Sequence, residues 1–480
     1  MFLKRYVRMI VVACVVAIPP CIGSLAQGSA LRSFTARDLV ALDRLSDAQV
    51  APDGSAVIYD VRSADLAANR ARHTLWILSL KPAGTPVQFL TNASGARWSP
   101  DGKFVYFLRA GSGTQQLWRI SRTGGPATEV TQLPLDIGAY RIAPDGMHVV
   151  VSLAVFTDCP TLACTKSRLA ARAQRHATGT VFTKLFIRHW DTWADGTRNH
   201  LFAVVLGPDG KAKGNPLSLM RSFDGDAPSK PFGDDGDFAI SPDSRSVVFS
   251  ARLAGSTEPW STNFDLYSVP IDGSHALVDL TAANPAADAG PVFSPDGARL
   301  AYRAQKRAGF EADRFGILVR DLRTGATREI DPAWDRSASD IVWSHDGRTI
   351  YTSADDAGNH RIFAIDVASG AVRPLTRAGD VESFALAPNA LVYAESSLTS
   401  PTQLFTQTFP FGVARQVTHL NAERLRDVAL APSKTFTFAG WNGERVQGRV
   451  TEPYGRVPGK TYPVAFLMHG GPQGSWTDGW

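Results

Sequence analysis

Apolar and polar positions along this chain fall into one motif that returns seven times. It reads "VAPDGSAVIYDVR" from Val50, "WSPDGKFVYFLR" from Trp98, "IAPDGMHVVVSL" from Ile142, "ISPDSRSVVFSA" from Ile240, "FSPDGARLAYRA" from Phe293, "WSHDGRTIYTSA" from Trp343 and, in degenerate form, "LAPNALVYAES" from Leu386. Successive copies start 43 to 53 residues apart, except for 98 between the third and fourth. In each, apolar, β-branched or aromatic runs flank a turn. Pro presets φ, Asp accepts nearby backbone amides and Gly takes φ > 0, so the motif predicts a hairpin. A third short stretch follows, such as "TLWILSL" at 74–80 or "RIFAIDV" at 361–367. A fourth often ends in an apolar residue plus Thr: Leu90-Thr91, Val130-Thr131, Leu280-Thr281, Leu375-Thr376, Val417-Thr418. Four strands per period of ~40–50 residues is the pattern of a propeller blade, whose two apolar faces are buried only by neighbouring blades. The sequence predicts an all-β seven-bladed β-propeller over residues 46–433, with Trp98 and Trp343 in blade cores. The long third repeat implies an insertion at 154–182.

Outside the repeats the pattern changes. "SFTARDLVALDRLSD" predicts a short helix within 31–45, with Thr35 and Asp38 as a capping box and Leu39, Leu42 and Leu45 as its apolar stripe. "TFTFAGWNGERVQGRVTEP" (435–453) predicts a hairpin with Asn442-Gly443 as a two-residue turn. "YPVAFLMHGGPQGSW" (462–476) predicts a strand buried on both faces that runs into a Gly-rich loop, so residues 434–480 read as the start of a second, doubly covered sheet.

Charge and cysteines refine this. Lys4, Arg5 and Arg8 precede an apolar run from Met9 to Ile18, and Ser24-Leu25-Ala26 suits cleavage, so residues 1–26 read as a secretory signal peptide. The apolar run is half of the ~20 residues that span a bilayer and Pro19-Pro20 ends it, so no stable membrane anchor is expected. Without those three cations the net charge of +5 falls to +2, and no basic block argues for nucleic acid. Cys159 and Cys164 remain once Cys14 and Cys21 leave with the leader. In an exported protein, periplasmic or secreted, this close pair is expected to form a disulfide; the other readings are two free thiols or a metal half-site without partners.

His469-Gly470-Gly471-Pro472 directly after an apolar strand has the form of the oxyanion loop of α/β-hydrolases, where glycine lets a backbone N–H approach a developing O⁻. With the propeller, the hairpin and the segment "FIRHWDTWADGTRNHLF" (186–202), the chain resembles the prolyl oligopeptidase family of serine peptidases, in the branch of acylaminoacyl-peptidases and bacterial dipeptidyl peptidase V. The resemblance implies a propeller capping an α/β-hydrolase that cleaves short peptides with a Ser-Asp-His triad and no cofactor, and assigns one oxyanion N–H to Gly471. No Gly-x-Ser-x-Gly elbow occurs in the sequence, so no catalytic residue is assigned, His469 included. The expectation is a chain that stops before the catalytic serine and is inactive alone.

His189, Trp190, Asp191, Trp193 and Asp195 carry two readings: a substrate-binding loop in which a carboxylate meets an ammonium and an indole walls a pocket, or a packed turn with Asp195-Gly196 at its bend. The turn is the simpler. No metal site is expected. The rival to a peptidase is a non-enzymatic periplasmic propeller that binds proteins, which has no use for the segment after 435.

Overall fold

The turn of each repeat dictates the strands beside it. A computed structural model of the protein describes residues 31–111, 113–409, 412–471 and 474–480; the leader at 1–26 and Pro472 lie outside the described residues. In the second repeat Gly102 donates to the Ser99 carbonyl, Ser99 donates to that of Phe104, and Gly102 has φ 68°. Asp101 Oδ1 accepts the amide of Lys103, two residues on, at 3.1 Å. Asp53, Asp145, Asp243, Asp296 and Asp346 do the same. Where the fourth copy lacks glycine, Ser244 adopts φ 62°. In the degenerate seventh copy Ala387 pairs directly with Ala390, leaving Pro388-Asn389 as the turn.

Each turn joins the first two strands of a four-stranded antiparallel meander. Among the described residues the meanders span 44–91, 94–129, 137–218, 238–279, 288–329, 341–374 and 380–416; one parallel residue pair, His360 with Asp380, links the last two. The second strands are apolar runs because sheets cover them on both sides; the first six residues of Ala56–Asp65 are buried. The core is a series of apolar clusters, each between two neighbouring sheets. Ile58 and Leu75 meet Val105 and Phe107, Leu117 meets Ile137 and Val149, and Val150 and Leu201 meet Phe238 and Phe249. Val248 meets Leu300, Ile317 meets Ile350, and Ile362 meets Leu391. Leu45 and Tyr59 then meet Val392 and Leu404, which returns the seventh sheet to the first and closes a ring.

Two sequence features acquire a reason. The indole of Trp98 donates to the Gln49 carbonyl at 3.0 Å and that of Trp343 to the Val292 carbonyl at 3.1 Å, each reaching the preceding sheet. Trp343 is buried; Trp98 is half-buried. The apolar-Thr endings are hydrogen-bond devices: Thr131, Thr281, Thr376 and Thr418 hydroxyls accept the third-strand amides of Leu117, Leu266, Ile362 and Leu404 at 2.8–3.0 Å. Asp331 does this for Ile317 in the fifth sheet.

Four expectations change. The helix is Ala36–Ala41, shorter than 31–45. Thr35 and Asp38 do form the capping box, but Arg32–Ser33 pair as a strand with Val428–Ala429, and ring closure draws Leu45 into the strand Arg44–Val50. The excursion of the third sheet runs between Val155 and Arg198, beyond 154–182, because these two residues are the last pair of its ladder. The hairpin Ser433–Ala439 with Arg445–Thr451 turns through five residues, not two: Ala439 pairs with Arg445, and Asn442 (φ 58°) and Gly443 (φ 76°) sit inside the loop. The strand expected in 462–476 does not form. Val464, Phe466 and Met468 are 85%, 76% and 79% exposed, because no described strand offers its backbone a ladder or its side chains a cover.

Candidate functional site

The Pro-Asp-Gly turns occupy one face of the ring. The loops between second and third strands therefore emerge on the other face, and everything non-repetitive gathers there. The excursion 156–197 begins with helix Leu162–Ala173, capped by Thr161, whose hydroxyl accepts the Cys164 amide at 3.2 Å. Cys159 and Cys164 are joined by a disulfide with Cα atoms 5.6 Å apart, across the start of that helix. Arg168 lies over the Phe156 ring at 4.6 Å and pairs with Asp158 at 2.7 Å, while Leu162 and Leu169 pack on the core.

The excursion then forms a small hairpin, Arg188–His189 with Thr192–Trp193, whose bend residue Trp190 has φ 49°. His189, Trp190 and Phe232 form a ring cluster with centroids 5.3–5.5 Å apart, Phe186 lies 6.4 Å from His189, and Phe182 stacks on Trp193 at 5.9 Å. The cluster is open to water: Trp190 is 73% and Phe232 67% exposed. Asp191 is exposed beside it. Asp195 is used within its own turn. Its Oδ1 accepts the Thr197 amide and hydroxyl at 2.9 and 2.7 Å and lies 3.6 Å from Lys230. Against the cost of desolvation, these contacts hold its carboxyl below the usual range. The structure thus brings His189 and Trp190 into one aromatic cluster with Phe232, places Trp193 in a separate stack on Phe182, and gives Asp195 a turn role.

Below this surface lies a charge network. Arg198 pairs with Asp224 at 3.1 Å, Asp226 at 2.8 Å and Glu258 at 2.7 Å. Arg252 lies 3.7 Å from Glu258 and over the Phe186 ring at 5.7 Å, which ties the aromatic hairpin to the fourth sheet. Nearer the axis, Arg97 bridges Asp47 (2.8 Å) and Asp235 (2.9 Å) beside a cavity of about 200 Å³ that Tyr140, Asn199 and Asp234 also line. Sequence reading missed both networks. The partners of Arg198 and Arg97 lie 26 to 138 residues away and no local motif marks them.

The tail reaches the same face. Arg449 of the hairpin donates to the Gly358 carbonyl, in the loop between second and third strands of the sixth sheet, at 2.9 Å. His469, Gly470 and Gly471 are exposed; His469 Nδ1 lies 3.1 Å from the Gly470 carbonyl, and Gly471 has φ 143°. Beyond the turn, Ser475 and Thr477 bond Asp355 and Asp380. Burial, with Asp478 and Asp380 close by, pushes Glu395 up to about 7. Ser475, Asp355 and His360 are neighbours but not a triad: both the hydroxyl and the imidazole Nδ1 bond the carboxylate, at 2.9 and 2.7 Å, so the pair lacks the hydroxyl-to-imidazole bond that activates a nucleophile. Among the described residues no group of three His, Cys, Asp or Glu side chains is arranged to hold a metal ion, and no helix is long and apolar enough to cross a membrane.

No family model matches the chain. Its homologues include dipeptidyl-peptidase 5 of Trichophyton equinum, 28% identical over 491 residues; the match covers 96% of this chain and 66% of that protein. The chain thus spans just under two thirds of the length of the curated relatives it matches. Its fold is shared with an acylaminoacyl peptidase solved in complex with Z-Gly-Gly-Phe-chloromethyl ketone (TM-score 0.69, 17% identity, 90% of this chain and 61% of that one). It is shared also with the β-propeller domain of the Trilobed protease from Pyrococcus furiosus (TM-score 0.53, 16% identity, 79% of this chain and 97% of that one).

Proposed function

We propose that the seven meanders are the blades of one β-propeller, and that residues 434–480 begin the α/β-hydrolase domain of an exported serine peptidase acting on short peptides, in the manner of dipeptidyl- and acylaminoacyl-peptidases. The observation that carries this is the convergence of the His469-Gly470-Gly471 turn and the aromatic hairpin on one face, in a chain whose homologues are peptidases over 96% of its length. Each group has a role. The Gly471 N–H donates to the oxygen of the tetrahedral intermediate, where a preorganised donor is worth ~3–4 kcal/mol. Trp190 and Phe232 offer an apolar wall to a peptide side chain. The Arg198 and Arg97 guanidiniums, each paired with carboxylates of neighbouring segments, hold the walls. The acylating serine is not supplied by these 480 residues, which hold no Gly-x-Ser-x-Gly elbow, so the chain by itself binds and does not turn over. The leader and the Cys159–Cys164 disulfide fit an oxidising compartment.

The test is incubation of the purified chain with a fluorophosphonate probe and with dipeptidyl and acyl-amino chromogenic substrates. The expected result is neither labelling nor release. Stoichiometric labelling of a defined serine would overturn the assignment.

A further inference from the structure

We propose that the rim of the sixth and seventh sheets is a clamp that positions the His469–Gly471 turn, acting through residues 475–480. The inference rests on the peptidase reading for the role of the turn, and on geometry for the clamp. Ser475 Oγ donates to Asp355 Oδ2 at 2.9 Å and Thr477 Oγ1 to Asp380 Oδ2 at 2.6 Å. Arg449 donates to Asp478 at 3.2 Å, and the Trp480 amide to Ser396 Oγ at 3.3 Å. The Trp480 ring meets Phe34 edge-on at 5.6 Å. Gly479 passes so close to Asp380 that an added Cβ would collide with its carboxylate. Arg449 also donates to Ser433 Oγ at 2.9 Å, so the hairpin before the turn and the segment after it are tied to one rim. His360 holds Asp355 from behind at 2.7 Å.

The contrast lies within the tail. Residues 464–468 are exposed, whereas Thr477 to Trp480 are half-buried against the ring. From Gly471 to Ser475 is four residues, at most ~14 Å of chain, so the rim limits where the turn can go. An oxyanion donor needs this help. It acts only if held about 2.7–3.1 Å from where the charge develops, and glycines keep more backbone freedom than any other residue. The ring is then more than a cover. Asp355 and Asp380 touch no substrate, and act as positioning residues through Ser475 and Thr477.

Hydrogen exchange on the purified 480-residue chain tests the clamp. In the wild type, peptides covering 474–480 exchange more slowly than those covering 461–468. Asp380→Ala speeds exchange at 474–480 and at Gly470–Gly471 by about tenfold, the loss of one charge-assisted hydrogen bond. Asp380→Asn keeps an acceptor for Thr477 and stays within about threefold of wild type. Gly479→Val, which adds bulk instead of removing a bond, releases the segment as well. Thermal unfolding of the ring stays within about two degrees throughout; should Asp380→Ala perturb it, Thr477→Val removes the same bond from the tail side. A wild-type 474–480 that exchanges as fast as 461–468, or that responds to none of these substitutions, overturns the clamp. The exchange result is independent of the fluorophosphonate result, so either proposal can fail alone.

Discussion

Ring closure depends on a single side chain more than its sequence suggests. The seventh sheet returns to the first through apolar packing, but the chain ends that meet there are joined by Asn421. Its Oδ1 accepts the Asp43 amide at 2.9 Å and its Nδ2 donates to the Asp43 carbonyl at 2.8 Å. Asn421 is 8% exposed and has φ 65°, in the left-handed region. Replacing it with Gly keeps the backbone and deletes both bonds. Asp43 is only partly buried, so each orphaned group costs about 1 kcal/mol, the low end of the range, and about 2 kcal/mol in total. Replacement with Ala adds about 1 kcal/mol for a left-handed L-residue, giving about 3 kcal/mol. In hydrogen exchange of peptides covering Arg44–Val50, these losses read as roughly 30-fold and 150-fold faster exchange. Fourth-sheet peptides covering Ser246–Ala251 report whether the ring opens at the seam or everywhere; the seam is expected to open first. If Asn421→Ala leaves Arg44–Val50 within threefold of wild type, Asn421 does not hold the seam, and apolar packing with the Arg32–Ser33 to Val428–Ala429 pairing closes the ring.

Asp288 gives a pH dependence. It is fully buried; its Oδ2 has no protein partner, and burial, with Asp265 and Asp279 near, pushes its carboxyl up to about 7. A raised folded pKa means stability that is full below the unfolded value near 4 and is lost as pH rises through 7, on the order of 3–4 kcal/mol. Asp288→Asn should flatten urea-unfolding stability between pH 5 and 8 and raise it at pH 8; an unchanged profile contradicts this. Cys159→Ser with Cys164→Ser should cost about 2 kcal/mol locally, from the short loop the bond closes, and loosen helix Leu162–Ala173 in hydrogen exchange. Mass spectrometry of non-reduced, alkylated protein should find both sulfurs unlabelled; two alkylated thiols would show the bond absent.

What the sequence disclosed was local. Pro, Asp and Gly specify a turn within four residues, so the hairpins could be read directly. Thr35 and Asp38 announced a cap three residues apart. The Thr endings were visible as a pattern, but their purpose, accepting an amide from the neighbouring strand, needs the sheet. The long-range chemistry stayed hidden for the same reason. Arg97 finds Asp235 at a distance of 138 residues, and Asn421 finds Asp43 at 378. The segment 462–468 shows the opposite failure: an apolar run licenses a strand only if other strands are there to pair with it. At Leu45 tertiary packing overrode helical periodicity. Asp195, read as either a ligand carboxylate or a turn residue, accepts from Thr197 within its own turn.

Peptide is proposed to bind on the face that carries the second-to-third-strand loops, the aromatic hairpin and the His469–Gly471 turn. Hydrogen exchange of the purified chain, with and without a saturating short peptide bearing an apolar side chain, tests it directly. Slower exchange is expected at 186–198 and 469–480, with exchange unchanged at the Pro-Asp-Gly turns. Protection confined to the turn face, or no protection at millimolar peptide, would contradict it.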